Sequence, residues 1–294
     1  MVLGYTKQAY HKREKGASVR AAQAASANSY VLEKVSEIRA EMPKLGTRKL
    51  YHLLEENFEQ FDLKVGRDKL FSLLRSSNLL IVRRKKHVRT TDSRHWRREH
   101  PNLVSDFIPE KPEELLVSDI TYFETEQGTV YGHLITDGYS KKIMGYKVAY
   151  DMKKERTIAA FNQAMKNRIY KYPGIHHSDR GAQYCSPVYT TNAQNQKYEI
   201  SMTQDGSPYD NAVAERINGI LKDEFGLGDK MKNLTEVKKR LERAVDIYNN
   251  KRPHWSCHLL TPNQMHQQCQ LPIVTWGDEK KKALIQNDKK KAVE

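Results

Sequence analysis

From residue 113 onward the chain places three β-type runs, "ELLVSDITYFE", "VYGHLITDGYS" and "KIMGYKVAYD", with only short polar turns between them. Strands spaced that tightly predict an antiparallel meander. A helical pattern follows in "ERTIAAFNQAMKNRIYKY", stopped by Pro173-Gly174. "GIHHSD" then reads as a short strand with a loop after it, and "YEISMTQ" as another strand. "SPYDNAVAERINGILKDEFG" is a helix with a turn signal at its start, and "LTEVKKRLERAVDIYNNKR" is a further long helix. Three strands, helix, strand, helix, strand, helix is the order of an α/β layered domain, its five strands in a mixed sheet.

The residues before this domain have a different texture. Val31, Leu32, Val35, Ile38 and Met42 fall at helical spacing and make one apolar stripe. A turn at "PKLGTRKL" follows, and Leu50, Leu53, Leu54 and Phe58 repeat the spacing. Leu70, Phe71, Leu73 and Leu74 define a third, short helix opened by Gly66-Arg67-Asp68. Three short amphipathic helices with a glycine in a turn fit a helix-turn-helix module. A purely structural three-helix bundle fits the same pattern, but Arg67, Lys69 and Arg75 on the last helix favour DNA. Residues 82–98, "VRRKKHVRTTDSRHWRR", hold little apolar matter for a core. They read as a linker lying along a phosphate backbone, with Arg83, Arg84, Lys85 and Lys86 as contacts.

Charge points the same way. Fifty Lys and Arg against 36 Asp and Glu give a formal net charge of +14, a surface that attracts polyanions. With 294 residues there is room for one sizeable domain and one or two small ones. No apolar run reaches the roughly 18 residues of a membrane span, and the N-terminus lacks the apolar core of a signal peptide. Cys185, Cys257 and Cys269 have no pairing or CxxC spacing. They read as free thiols in a reducing cytoplasm, with neither a disulfide frame nor a zinc site.

Three acidic residues stand out within the layered domain. Asp119 sits inside the first strand between Val117 and Ile120, where a charge is costly unless paired or bound to metal. Asp179 ends the fourth strand. Glu215 lies on a helix just after the small residues Ala212 and Ala214, which permit a close approach to the sheet. Each alone is an ordinary structural residue. Together, on three elements that can meet at one sheet edge, they make an oxygen cluster suited to Mg²⁺ or Mn²⁺. Lys222 follows Glu215 by two helical turns on the same face, where it fits either a phosphate-holding lysine or a solvated helix lysine. Ser207 or Asp210 is expected to cap that helix.

"VSDITYF", "IHHSDRGAQY" and "GSPYDNAVAERINGILKDE" resemble the three signature blocks of DDE transposases with a retroviral-integrase-like core. The match is closest to second-reading-frame transposases of the IS-three family of bacterial insertion sequences. "YNNKRPHWSCHLLTPNQMH" resembles that family's C-terminal signature, and the zone around "PKLGTRKL" resembles its helix-turn-helix. Arg216 and Ala182 stand where the family commonly has Ser, and neither is a ligand position. The resemblance implies a ribonuclease-H-like fold with Asp119, Asp179 and Glu215 as catalytic, metal-binding triad, two Mg²⁺ (or Mn²⁺) ions per site, and Arg180 near the substrate phosphate. On alternating strand faces, one of His176 and His177 is expected to pack and the other to approach DNA.

The implied activity is metal-dependent cleavage and strand transfer at insertion-sequence ends. The implied partners are duplex DNA bearing terminal inverted repeats, target DNA, further copies of the chain, and the helix-turn-helix protein of the first reading frame. The expected setting is the bacterial cytoplasm at the nucleoid. The expected segments are 1–81 helical and DNA-binding, 82–112 basic linker, 113–228 catalytic core, 229–268 C-terminal helix and signature, and 269–294 charged tail. Two other readings compete: a DNA-binding regulator without catalysis, and a ribonuclease-H-type nuclease acting on hybrids. The intact acidic set argues against the first; the helix-turn-helix and basic linker argue against the second.

Overall fold

A computed structural model describes residues 7–82, 100–105, 107–204 and 211–274, with side chains from residue 16 onward. Arg83, Arg84, Lys85 and Lys86 lie outside the described residues, as do Ser207, Asp210 and the charged tail from residue 275. The chain divides into two compact units, residues 1–83 and 84–294.

The first unit is all helical: α1 (Lys7–Glu41), α2 (Thr47–Gln60) and α3 (Arg67–Ser76). Its core is the predicted stripe, with Val31, Val35, Leu50, Leu54, Leu70 and Leu74 all buried. Arg39 fastens the connections. Its guanidinium donates to the carbonyl of Leu79 at 2.7 Å and of Leu45 at 3.4 Å. α1 is much longer than the stripe on its C-terminal part, because the alanine-rich stretch upstream favours helix without needing a buried face. Residues 17–26 are accordingly exposed. Arg67, Lys69 and Arg75 are exposed on α3.

The second unit is built on a five-stranded sheet: β1 (Leu115–Thr125), β2 (Gly128–Asp137), β3 (Ile143–Ala149), β4 (Gly174–Ser178) and β5 (Tyr198–Met202). The order across it is β3-β2-β1-β4-β5. β1, β2 and β3 form the antiparallel meander, and β4 and β5 join in parallel. Parallel neighbours need crossovers, here supplied by α4 (Lys154–Lys166) and α5 (Pro187–Asn195). α6 (Ala212–Asp223) and α7 (Leu234–Asn250) follow, then a 3₁₀ turn and α8 (Pro262–His266). This is the mixed sheet with flanking helices of a ribonuclease-H-like core.

Alternation along each strand feeds two cores. Leu134 and Ile143 point into one, shared with Ile217, Ile220, Val237 and Leu241 of α6 and α7. Ile135 and Met144 point into the other, shared with Ala160, Phe161 and Ala193 of α4 and α5. Gly145 lets α4 lie flat on β3, since a Cβ there would stand 2.3 Å from the carbonyl oxygen of Ala160.

One element differs from the sequence reading. The helix expected to run to Pro173 ends at Lys166. Glu113 captures the chain beyond it, its carboxylate accepting from the backbone N–H of Ile169 at 2.6 Å and of Tyr170 at 3.1 Å. Those bonds, with Arg168 donating to the same group at 3.0 Å, replace the helical ladder. α5 is the crossover helix of the expected order, and it forms in the stretch after "GIHHSD" whose local pattern reads as loop. Its weak periodicity hides it, and Pro187 at the first turn is its clearest start signal.

Candidate active site

The parallel pair β1/β4 sets the site. Val117 stands opposite His177 in the register, so two residues further along each strand come Asp119 and, one residue past the end of β4, Asp179. Asp119 is half-buried. One carboxylate oxygen accepts from its own following amide, Ile120, at 2.9 Å, and the other from the side-chain amide of Asn218 at 2.6 Å. Burial, the charge of Asp179 and the charge of Glu215 together push its carboxyl up to about 7. A carboxylate at that position feels both other acids, which is the electrostatic signature of a shared site.

Asp179 is held by its exit turn. The N–H of Gly181 donates to Asp179 Oδ1 at 3.0 Å, and a Cβ on Gly181 would sit 2.9 Å from that oxygen. A larger residue there would have to turn the Asp179 carboxylate aside. Glu215 is exposed in the first turn of α6, its backbone N–H bonded to Asn211 O at 3.1 Å. Among the described residues no three His, Cys, Asp or Glu side chains stand close enough to grip a metal ion as placed. Asp119 thus feels the charges of Asp179 and Glu215, but the three acids are not drawn into a closed ligand shell. The donors suit a hard divalent cation: they are oxygen only, on separate elements, and mutually repulsive.

The remaining predicted positions divide. Lys222 lies on the Glu215 face of α6, its ammonium 3.8 Å from the centre of the Tyr122 ring, a cation–π contact that holds it at the border of the site. Arg180 donates through Nε to the carbonyl of Thr203 at 2.7 Å, which aims the guanidinium across the end of β5. The expectation that one of His176 and His177 approaches DNA is overturned, for both are buried. His176 Nε2 lies 2.6 Å from the Tyr189 hydroxyl, and His177 Nδ1 lies 2.8 Å from the Ser201 hydroxyl. Phe161 of α4 and Tyr189 of α5 cover the His176 face, and the segment around Val104 and Phe107 with the start of α6 covers the other, so alternation carries neither ring to solvent.

The start of α6 also differs from expectation. Asn211 occupies the N-cap, but its side chain accepts no bond from the helix. Its amide instead donates to the carbonyl of Ser118 at 3.1 Å. Sequence reasoning gave Asn218 no role. Its signal was present, since an amide inside the apolar run Ile217–Leu221 is costly unless it answers a polar group.

The chain is similar to several known proteins. Models of the integrase core domain family match residues 109–208 and 196–262. A 31 kDa insertion element IS600 protein of Shigella sonnei is 34% identical over 223 residues, covering 75% of this chain and 80% of the relative. The transposase for insertion sequence element IS629 of Shigella sonnei is 36% identical over 208 residues, 70% of this chain and 68% of that one. Among solved structures, the HTLV-2 integrase catalytic core in complex with magnesium superposes with a TM-score of 0.43 at 18% identity, over 53% of this chain and 97% of that one. A simian T-cell lymphotropic virus intasome in complex with PP2A regulatory subunit B56 gamma gives 0.48 at 16%, over 81% and 76%.

The family matches and the transposase relatives make the chain a polynucleotidyl transferase with an integrase-type core. The chain belongs to the family of insertion-sequence transposases built on the integrase core domain. It is an enzyme of DNA transposition, and DNA is its substrate.

Proposed function

We propose that Asp119, Asp179 and Glu215 hold two divalent ions, Mg²⁺ or Mn²⁺, and that the chain cleaves DNA at insertion-sequence ends and joins the freed 3′-OH to a target. The observation that carries this reading is a carboxylate set mid-strand, Asp119, with the charges of two further acids from β4 and α6 bearing on it. Such a cluster is unfavourable by itself and is relieved by a hard cation. Bound there, the ions would supply the clamp on attacking and leaving oxygens that phosphodiester displacement needs.

The residues around the acids have their own tasks. Lys222, steadied by Tyr122, receives a phosphate of the bound strand. Arg180 does the same from the opposite side, at the end of β5. Arg67, Lys69 and Arg75 form the exposed basic edge of α3 and act with the 82–98 segment as the sequence-independent grip on duplex DNA. Residues 1–81 serve as the helix-turn-helix and 113–228 as the catalytic core, with 229–268 closing it and 82–112 and 269–294 as linker and tail. Bringing two element ends together calls for further copies of the chain, with the first-reading-frame protein as helper, at the nucleoid.

The test is an end-bearing duplex incubated with Mg²⁺ and the purified chain. Wild type produces new 3′ ends and joined strands, and chelation stops both. Asp119→Asn and Glu215→Gln lower the rate by at least about a thousandfold while DNA binding persists. A variant that still cuts at the wild-type rate removes its residue from the catalytic set.

A further inference from the structure

We infer that Asn211 and Asn218 are positioning residues, a pair of amide straps that fix α6 on β1 so that Glu215 faces Asp119. The inference rests on the metal reading above and adds to it what holds the acids in register. Asn211, Glu215, Asn218 and Lys222 follow one another at spacings of four, three and four residues, one stripe along α6. The first strap runs from the Asn211 amide to the carbonyl of Ser118, the residue just before Asp119, at 3.1 Å. The second runs from the Asn218 amide to the Asp119 carboxylate itself, at 2.6 Å. Glu215 lies between them. Ala214 and Gly219, both buried, keep the helix close enough for these short side chains to reach.

Local needs do not explain these amides. An asparagine at an N-cap ordinarily turns its oxygen to its own helix, and Asn211 does not. Asn218 sits among Ile217, Gly219, Ile220 and Leu221, where a leucine of the same size would pack without polar cost. Both side chains are more than nine-tenths buried, and the carbonyl oxygen of each has no partner among the described residues. A folding optimum would not leave two orphan acceptors on one helix. A geometric constraint on Asp119 and Glu215 explains both. Groups that orient metal ligands in this way typically change metal affinity ten- to a hundredfold when removed.

The test uses the full chain and Mn²⁺ alone, read by the shift in thermal midpoint across a titration. Asn218→Leu keeps the volume and removes the orphan oxygen. Its metal-free midpoint should hold or rise while its apparent Mn²⁺ affinity falls at least tenfold. Asn211→Leu should lower affinity in the same direction, and the double variant should be little worse than the weaker single. A lower metal-free midpoint with an unchanged Mn²⁺ response marks purely structural amides and overturns the inference; so does no change in either quantity. Asn218→Ala and Asn211→Ala give the same readout where a leucine variant does not fold. Asp119→Asn separates the two levels. If it keeps the wild-type Mn²⁺ response, the metal assignment fails and the straps with it. If it loses the response while the asparagine variants keep theirs, the straps alone fail.

Discussion

A single side chain, Arg252, shows how the C-terminal signature works. It is 1% exposed and meets Glu224 at the end of α6 through two parallel bonds of 2.8 Å, from Nε and from one terminal nitrogen. The pair closes the far end of the helix that carries Glu215. Only a planar fork makes both bonds at once, so Arg252→Lys should lose one and leave a buried ammonium poorly matched. Equilibrium urea unfolding should show a loss of roughly 2–4 kcal/mol, and a change below about 0.5 kcal/mol would contradict it. Sequence reading found this block by its likeness to a family signature but assigned no contacts. The partner of Arg252 is 28 residues away and named by nothing local. Asp119 was legible for the opposite reason, since an acid in the middle of an apolar strand is an anomaly that composition alone exposes.

At the scale of elements, α8 is tied to the sheet by a buried charged cluster. Glu113, Asp137 and His266 are all fully buried. His266 Nε2 lies 3.4 Å from Glu113, and Nδ1 lies 2.9 Å from the Ser140 hydroxyl, which in turn donates to Asp137 at 2.7 Å. Burial alone would raise the Glu113 carboxyl, but the nearby His266 ring and the bonds from the Ile169 amide and Arg168 bring it down to about 2. His266 is raised above its ordinary 6.5, burial being outweighed by the nearby carboxylates of Asp137 and Glu113. A depressed acid stabilises above its unfolded value and loses that as pH falls; a raised histidine stabilises below its unfolded value and loses that as pH rises. The tie is therefore complete between about pH 4.5 and 6.5, fading below as Glu113 protonates and above as His266 loses its proton. Hydrogen exchange at residues 262–266 should be slowest in that window once corrected for intrinsic rates. Protection that rises steadily to pH 8 would contradict it. The same alternation of apolar and polar residues that revealed the strands could not reveal this cluster, because it joins residues 113 and 266 across the whole domain. Asn249 is a second case. Its amide pairs with both the N–H and the carbonyl of Ile143, at 3.0 Å each, standing in for a neighbouring strand at the sheet edge.

Over the whole molecule the layered order was legible and the helix boundaries were not. Strand runs bounded by turn residues gave the mixed sheet. α4 ended early because a tertiary acceptor, Glu113, outbid the helical ladder, and α1 ran on because an alanine-rich stretch needs no buried face. The three acids stood out in the sequence as candidates, and Asn218 as an amide inside an apolar run, while the contacts of Asn211 and Asn218 on β1 join residues 93 or more positions apart and had no local sign. Among the described residues no helix is long and apolar enough to cross a membrane. The charge of +14 governs how the chain meets DNA. Binding measured between about 50 and 200 mM salt should weaken with a log–log slope near −0.9 per neutralised phosphate. Glutamate at both Arg67 and Lys69 should flatten that slope by about two, and an unchanged slope would remove α3 from the contact surface. The measurement that tests the site most directly is anomalous scattering from crystals grown with Mn²⁺. Manganese is predicted within about 2.0–2.3 Å of carboxylate oxygens of Asp119, Asp179 and Glu215. Manganese bound elsewhere, with Asp119 still engaged only by Asn218 and its own strand, would contradict it.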